Sequence, residues 1–147
     1  STTLFAKSAQ VQLNTSIEET EVSYQLAYGT AVLEDGIETY AINIDAPLTE
    51  AGKTDSFTVY ASSNKNDDMS VVVSVKPESF KTTLNNGTEA FDSKITPNVN
   101  TLSSLKTITA GLHSKLLVNE FNMSWNGNEE LPAGDYVSNV KIEYTIK

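Results

Sequence analysis

The side chains with a claim to chemistry are few and scattered. His113, in Gly-Leu-His-Ser-Lys, is the one histidine. A general base or metal ligand would need a nucleophile, a carboxylate or further ligands gathered around it. None accompanies it at a recognisable spacing. There is no Gly-x-Ser-x-Gly elbow, no His-Glu-x-x-His pair and no glycine-rich phosphate loop. A strand-end histidine on the surface is the simpler reading. Asn64, Asn66, Asp67 and Asp68 offer the oxygen donors that calcium takes. Their run lacks the ligand spacing and the glycine of an EF-hand loop, so a solvated turn is expected. Glu18, Glu19 and Glu21 form a second acidic knot, suited to a solvated junction or an exposed hinge between strands. Asn-x-Ser/Thr triplets at Asn14, Asn86 and Asn122 are what chance supplies in a Ser-, Thr- and Asn-rich chain, and carry little weight for glycosylation. Tyr24, Tyr28, Phe57, Phe121 and Trp125 fall at strand spacing and suit a core better than a sugar platform. The expectation is no catalytic residue, no cofactor and no metal site. Binding, adhesion or assembly remains.

Composition narrows the partners. The 147 residues suit one domain with a real core, and apolar residues make up 39%. The net charge is −9, and all ten basic residues are lysine. Arginine supplies the bidentate grip on phosphate and guanine, so an acidic chain without it is a poor fit for nucleic acid. Anionic membrane surfaces are a poor fit on the same charge argument. With no cysteine, disulfides and thiolate chemistry are excluded. Ser1 reads as a mature start, compatible with an export signal removed upstream.

The elements that would position any site are short strands between turn residues. Ala9, Val11, Leu13 and Ile17 alternate with polar neighbours, as do Val22, Tyr24, Leu26 and Tyr28. Glu34-Asp35-Gly36 is a hairpin-type turn. Tyr40, Ile42 and Ile44 then share a face, followed by Phe57, Val59 and Ala61, and by Met69, Val71, Val73 and Val75. The pattern weakens from Pro77 to Gly111. A turn at Asn85-Asn86-Gly87 and a loop over 97–100 stand out there, and Leu105 to Gly111 is a short strand or a connection. Leu117, Phe121, Met123 and Trp125 again share a face. Seven or eight strands at this spacing predict an all-β sandwich.

The cleanest alternation closes the chain. After Pro132-Ala133-Gly134-Asp135, the residues Tyr136, Val140, Ile142, Tyr144 and Ile146 point one way, with Ser138 as the polar member. Asn139, Lys141, Glu143, Thr145 and Lys147 point the other way. A long exposed edge strand is an aggregation risk. Residues 1–17 offer a second alternating segment, joined to the first core-like strand by a short acidic linker. They have few reasons to fold back locally.

The ending, Glu-Leu-Pro-Ala-Gly-Asp-Tyr into alternating Val140, Ile142 and Ile146, resembles the terminal strand of fimbrial and capsular subunits of the bacterial chaperone–usher pathway. The matching residues are Ala133, Gly134 and Tyr136. The Thr/Ser-rich arm running into Val-Ser-Tyr-Gln-Leu-Ala-Tyr-Gly is similar too. Resemblance covers roughly 1–30 and 120–147, and the absence of cysteine fits the disulfide-free branch of these pilins.

That resemblance implies an incomplete immunoglobulin-like β-sandwich, residues 18–147, completed by a donor strand from a neighbouring subunit. Residues 1–17 would be the arm that the chain donates in turn. Phe5, Ala9, Val11 and Leu13 would fill the acceptor groove, with Lys7 a polar departure on the same face. Tyr136, Val140, Ile142, Tyr144 and Ile146 would form the acceptor strand, and Lys147 would carry the carboxylate that a periplasmic chaperone anchors. The implied partners are identical subunits in a fibre, the chaperone, the outer-membrane usher and, secondarily, a host receptor. The implied location is a fimbria on the bacterial surface, reached through the periplasm. The alternative is a self-contained immunoglobulin-like binding or stalk domain, with 9–17 pairing in its own chain.

Overall fold

The protein is described from a computed structural model, covering residues 6–33 and 39–147. Phe5 and the turn at Glu34-Asp35-Gly36 lie outside the described residues. Among the described residues there is no helix, and the strands form several open antiparallel sheets.

One four-stranded sheet contains β1 (Ser23–Tyr28), β2 (Ala31–Val32), β4 (Phe57–Ser63) and β10 (His113–Phe121), in the order β10-β4-β1-β2. A second sheet has the order β12-β5-β9, from β5 (Met69–Pro77), β9 (Ser103–Ile108) and β12 (Val140–Ile146). A third joins β3 (Gly52–Lys53), β11 (Met123–Trp125) and β8 (Asn98–Val99). The hairpin of β6 (Lys81–Leu84) and β7 (Glu89–Asp92) completes the set. Its turn holds Asn85, Asn86 and Gly87 at positive φ, which asparagine and glycine tolerate best.

Strict alternation places the core. Val59, Ala61, Val71 and Val73 are fully buried, and the residues between them are not. They join Leu26, Val75, Ile108, Val118, Met123 and Trp125 in one apolar cluster. Phe57 stacks on Phe121 within it, with centroids 5.1 Å apart. Each buried Val or Leu contributes about 1.5–3 kcal/mol, so this cluster is the main support of the fold.

Two expectations are corrected locally and one open reading is resolved. Leu117 does not face the core with Phe121; it is 45% exposed. The ladder between β10 and β4 shifts register between Leu117 and Asn119, so one extra residue turns Leu117 outward and Val118 and Asn119 inward. Tyr40, Ile42 and Ile44 keep their alternation and pack on the core, yet residues 39–45 enter no ladder. The uncertain segment Leu105 to Gly111 contributes to a true strand, because β9 pairs with β5 from Ser103 to Ile108.

Candidate functional site

The flank where β12 meets β1 leaves part of the core only half covered. β12 pairs with β5 along its whole length, from Val140 opposite Pro77 to Ile146 opposite Val71. Among the described residues no strand pairs with its other edge. On the facing sheet, β2 pairs only with Ala27 and Tyr28 of β1, leaving Ser23 to Gln25 unpaired on that side. The side chains between these edges are half-buried: Val140, Ile142 and Tyr144 from β12, Tyr24 from β1, and Tyr40 and Ile42 from the segment that enters no ladder. Val75 and Val73, the β5 partners of Ile142 and Tyr144, are by contrast essentially inaccessible. Ile146, at the strand's end, is 49% exposed.

Tyr24 and Tyr144 close the flank by stacking across the two sheets. Burial pushes the Tyr144 hydroxyl above its ordinary acidity range, and the neighbouring Tyr40 and Tyr24 add to the effect. Tyr144 was legible as an inward residue; its stack on Tyr24 was not, because no sequence period relates two sheets.

On the outward face, Lys141 of β12 stands directly opposite Lys76 of β5. Glu143 bridges both, at 2.9 Å from Lys76 Nζ and 3.0 Å from Lys141 Nζ. The hydrogen bond from Lys76, then that from Lys141, holds the Glu143 carboxyl below its ordinary range.

The approach to β12 is built by the Ala-Gly-x-Tyr segment. Tyr136 precedes the strand, and its hydroxyl donates to the Pro132 carbonyl at 2.7 Å. Val137 exchanges both backbone hydrogen bonds with Lys81 of β6. Ser138, the polar member of the inward set, donates to the Glu78 carbonyl at 2.7 Å. A Cβ on Gly134 would lie 2.6 Å from Thr82 Oγ1, so the corner needs glycine. At the far end, Lys147 N donates to Ser70 O.

Among the described residues, 6–17 of the arm contribute nothing to their own core. Residues 6–21 are exposed, and residues 6–20 lie outside any strand or turn. Val11 is 81% and Leu13 93% exposed, and Ala9 is exposed beside them. Phe5 lies outside the described residues. The root is held. Thr20 N and Oγ1 both donate to Asn64 Oδ1, Asn64 Nδ2 donates to Glu18 O, and Glu19 pairs with Lys65 at 3.2 Å.

These contacts give two polar features a structural role. Asn64 fastens the arm root, and Asp68 Oδ1 accepts from Ala110 N. His113 Nε2 lies 2.7 Å from the Thr109 carbonyl and 3.3 Å from the Thr109 hydroxyl. Among the described residues, no three or more His, Asp or Glu side chains gather as a metal site would need.

Comparison with protein-family models, curated proteins and solved structures returned no match.

Proposed function

We propose that the chain is a structural subunit of a bacterial surface fimbria. In this reading it is an incomplete immunoglobulin-like sandwich, completed by the arm of a neighbouring subunit, as the chaperone–usher resemblance implies. The observation that carries the reading is a complementary pair within one chain. Among the described residues, β12 has an unpaired edge with half-covered Val140, Ile142 and Tyr144 beside it, while Val11 and Leu13 stand in solvent.

The physics of such a joint is strand addition. Main-chain hydrogen bonds supply a sequence-tolerant grip, and alternate side chains set the register. Phe5 to Leu13 is nine residues, enough to run the length of the 7-residue β12. Burial of Val11 and Leu13 would each contribute about 1.5–3 kcal/mol. The Tyr136 hydrogen bond to backbone upstream, at the turn into the terminal strand, also suits an immunoglobulin-like corner. A self-contained binding or stalk domain would need 9–17 paired within the chain, and those residues are exposed and outside any strand.

The reading brings with it identical subunits as partners, a periplasmic chaperone and an outer-membrane usher, with host attachment secondary. It is tested by co-expressing the full chain with a chaperone–usher pair and looking for ladders that resist mild denaturant. Leu13→Asp is expected to abolish the ladder without loss of chaperone binding. Unaltered polymerisation by that variant would exclude Leu13 from the groove, and a chain that never forms ladders would exclude strand exchange.

A further inference from the structure

At the far end of β1 and β4 from the arm root lies an open cleft of about 670 Å³. Its base is the small sheet β3-β11-β8, where Ser124 pairs with Lys53 on one side and with Asn98 on the other. These three exposed side chains therefore form a lateral row across one face. Asn43 and Asp45 come from the neighbouring extended segment, and Asn126 follows β11. Among the described residues, none of these six side chains has a hydrogen-bond or ion-pair partner within the protein. Half-buried Tyr28 adds aromatic surface, and Trp125, 6% exposed, borders the cleft from the core.

The base is preformed. Thr54 N donates to Met123 O at 2.8 Å, and Met123 N donates to Thr54 Oγ1 at 3.0 Å. Asn128 N donates to Leu48 O at 3.1 Å. Gly52 lies so close to the indole that a Cβ there would sit 2.6 Å from Trp125 Cε2, Cζ2 and Nε1. A Cβ on Gly127 would collide with the Glu50 backbone. Little ordering cost is left for a ligand to meet.

We propose that this cleft binds a neutral saccharide. Three amides and a hydroxyl each donate and accept, which is what a run of sugar hydroxyls requires. An aromatic side chain with an apolar body and a polar tip suits a sugar ring with its attached hydroxyls. The charges cancel, with one Asp45 and one Lys53, so there is no surplus for an anion. A hard cation would need several carboxylates. Among the described residues, none of the arm or of β12 lines the cleft, so the site is separate from the proposed strand-exchange edge.

Trp125 is the only tryptophan and borders this cleft from the core, so its fluorescence is read together with titration calorimetry. The full chain is titrated with lactose, N-acetyllactosamine and mannobiose as neutral probes, and with sialyllactose as the acidic one. At least one neutral sugar is expected to give a saturable change. Asn98→Ala and Asn43→Ala, both at exposed positions, should each weaken it about tenfold while leaving the thermal midpoint unchanged. No saturable change with any probe overturns the site. A change that survives both substitutions overturns its location. A response confined to sialyllactose overturns the neutral class.

Discussion

The ring of Tyr24 on β1 lies flat against that of Tyr144 on β12, with centroids 4.4 Å apart and planes 8° from parallel. The two residues belong to different sheets, and their contact spans the flank where, among the described residues, β12 has an unpaired edge and β1 is paired by β2 only at Ala27 and Tyr28. The stack is therefore a brace across a half-covered part of the core. Tyr144→Ala should lower stability by about 3 kcal/mol, while Tyr144→Phe, which keeps the ring, should be close to neutral. A double-mutant cycle with Tyr24 in urea unfolding should return a coupling of about 1 kcal/mol. Additive effects would show that the stack is incidental.

Acid should loosen the terminal strand. Glu143 lies between Lys76 and Lys141, which would otherwise face each other as like charges. Its carboxyl is held below the ordinary value of 4.5, so its contribution is fully present above that pH and is lost as pH falls through the lower folded value. Amide exchange along β12 should accelerate in that window. Glu143→Gln should remove the pH step and show faster exchange already at neutral pH. An identical acid response in the variant would assign the effect to another group.

The corner before β12 should be sensitive to small changes. Tyr136→Phe removes the hydrogen bond to the Pro132 carbonyl and should cost about 1 kcal/mol. Gly134→Val must push Thr82 aside on β6, where Thr82 is buried, and should cost more than Tyr136→Phe. Thermal unfolding of both variants checks the order.

The legible parts of this protein are those governed by period two. Phe57, Val59 and Ala61, and Val71, Val73 and Val75, were readable as core because a strand buried on one side leaves that trace. Leu117 was misread because a bulge adds one residue, and nothing in its neighbours' types announces it. The Tyr40 to Ile44 segment shows why alternation alone does not make a ladder: its residues pack inward, yet pairing depends on a partner elsewhere in the chain. Within the candidate interface, the inward positions Val140, Ile142 and Tyr144 of β12 were legible. The brace from Tyr24 and the clamp from Asn64 were not, since both depend on contacts between distant segments. The polar cleft was invisible for the same reason: Lys53, Asn98 and Ser124 are ordinary surface residues until three strands place them in a row.

Strand exchange between molecules can be tested directly because the chain has no cysteine of its own. Two single-cysteine proteins, one Leu13→Cys and one Ile142→Cys, are co-assembled and oxidised, with Leu13→Cys plus Lys141→Cys as the outward-facing control. A disulfide needs Cα atoms within about 7 Å, so it reports strand adjacency. Neighbouring pairs, Val11 or Leu13 against Val140, Ile142 or Tyr144, cover the register. Intermolecular dimers from inward pairs, and none from the control, are the predicted result. Absence of cross-links from every inward pair in assembled material, or cross-links formed only within one molecule carrying both cysteines, would contradict donation of the arm to a neighbour.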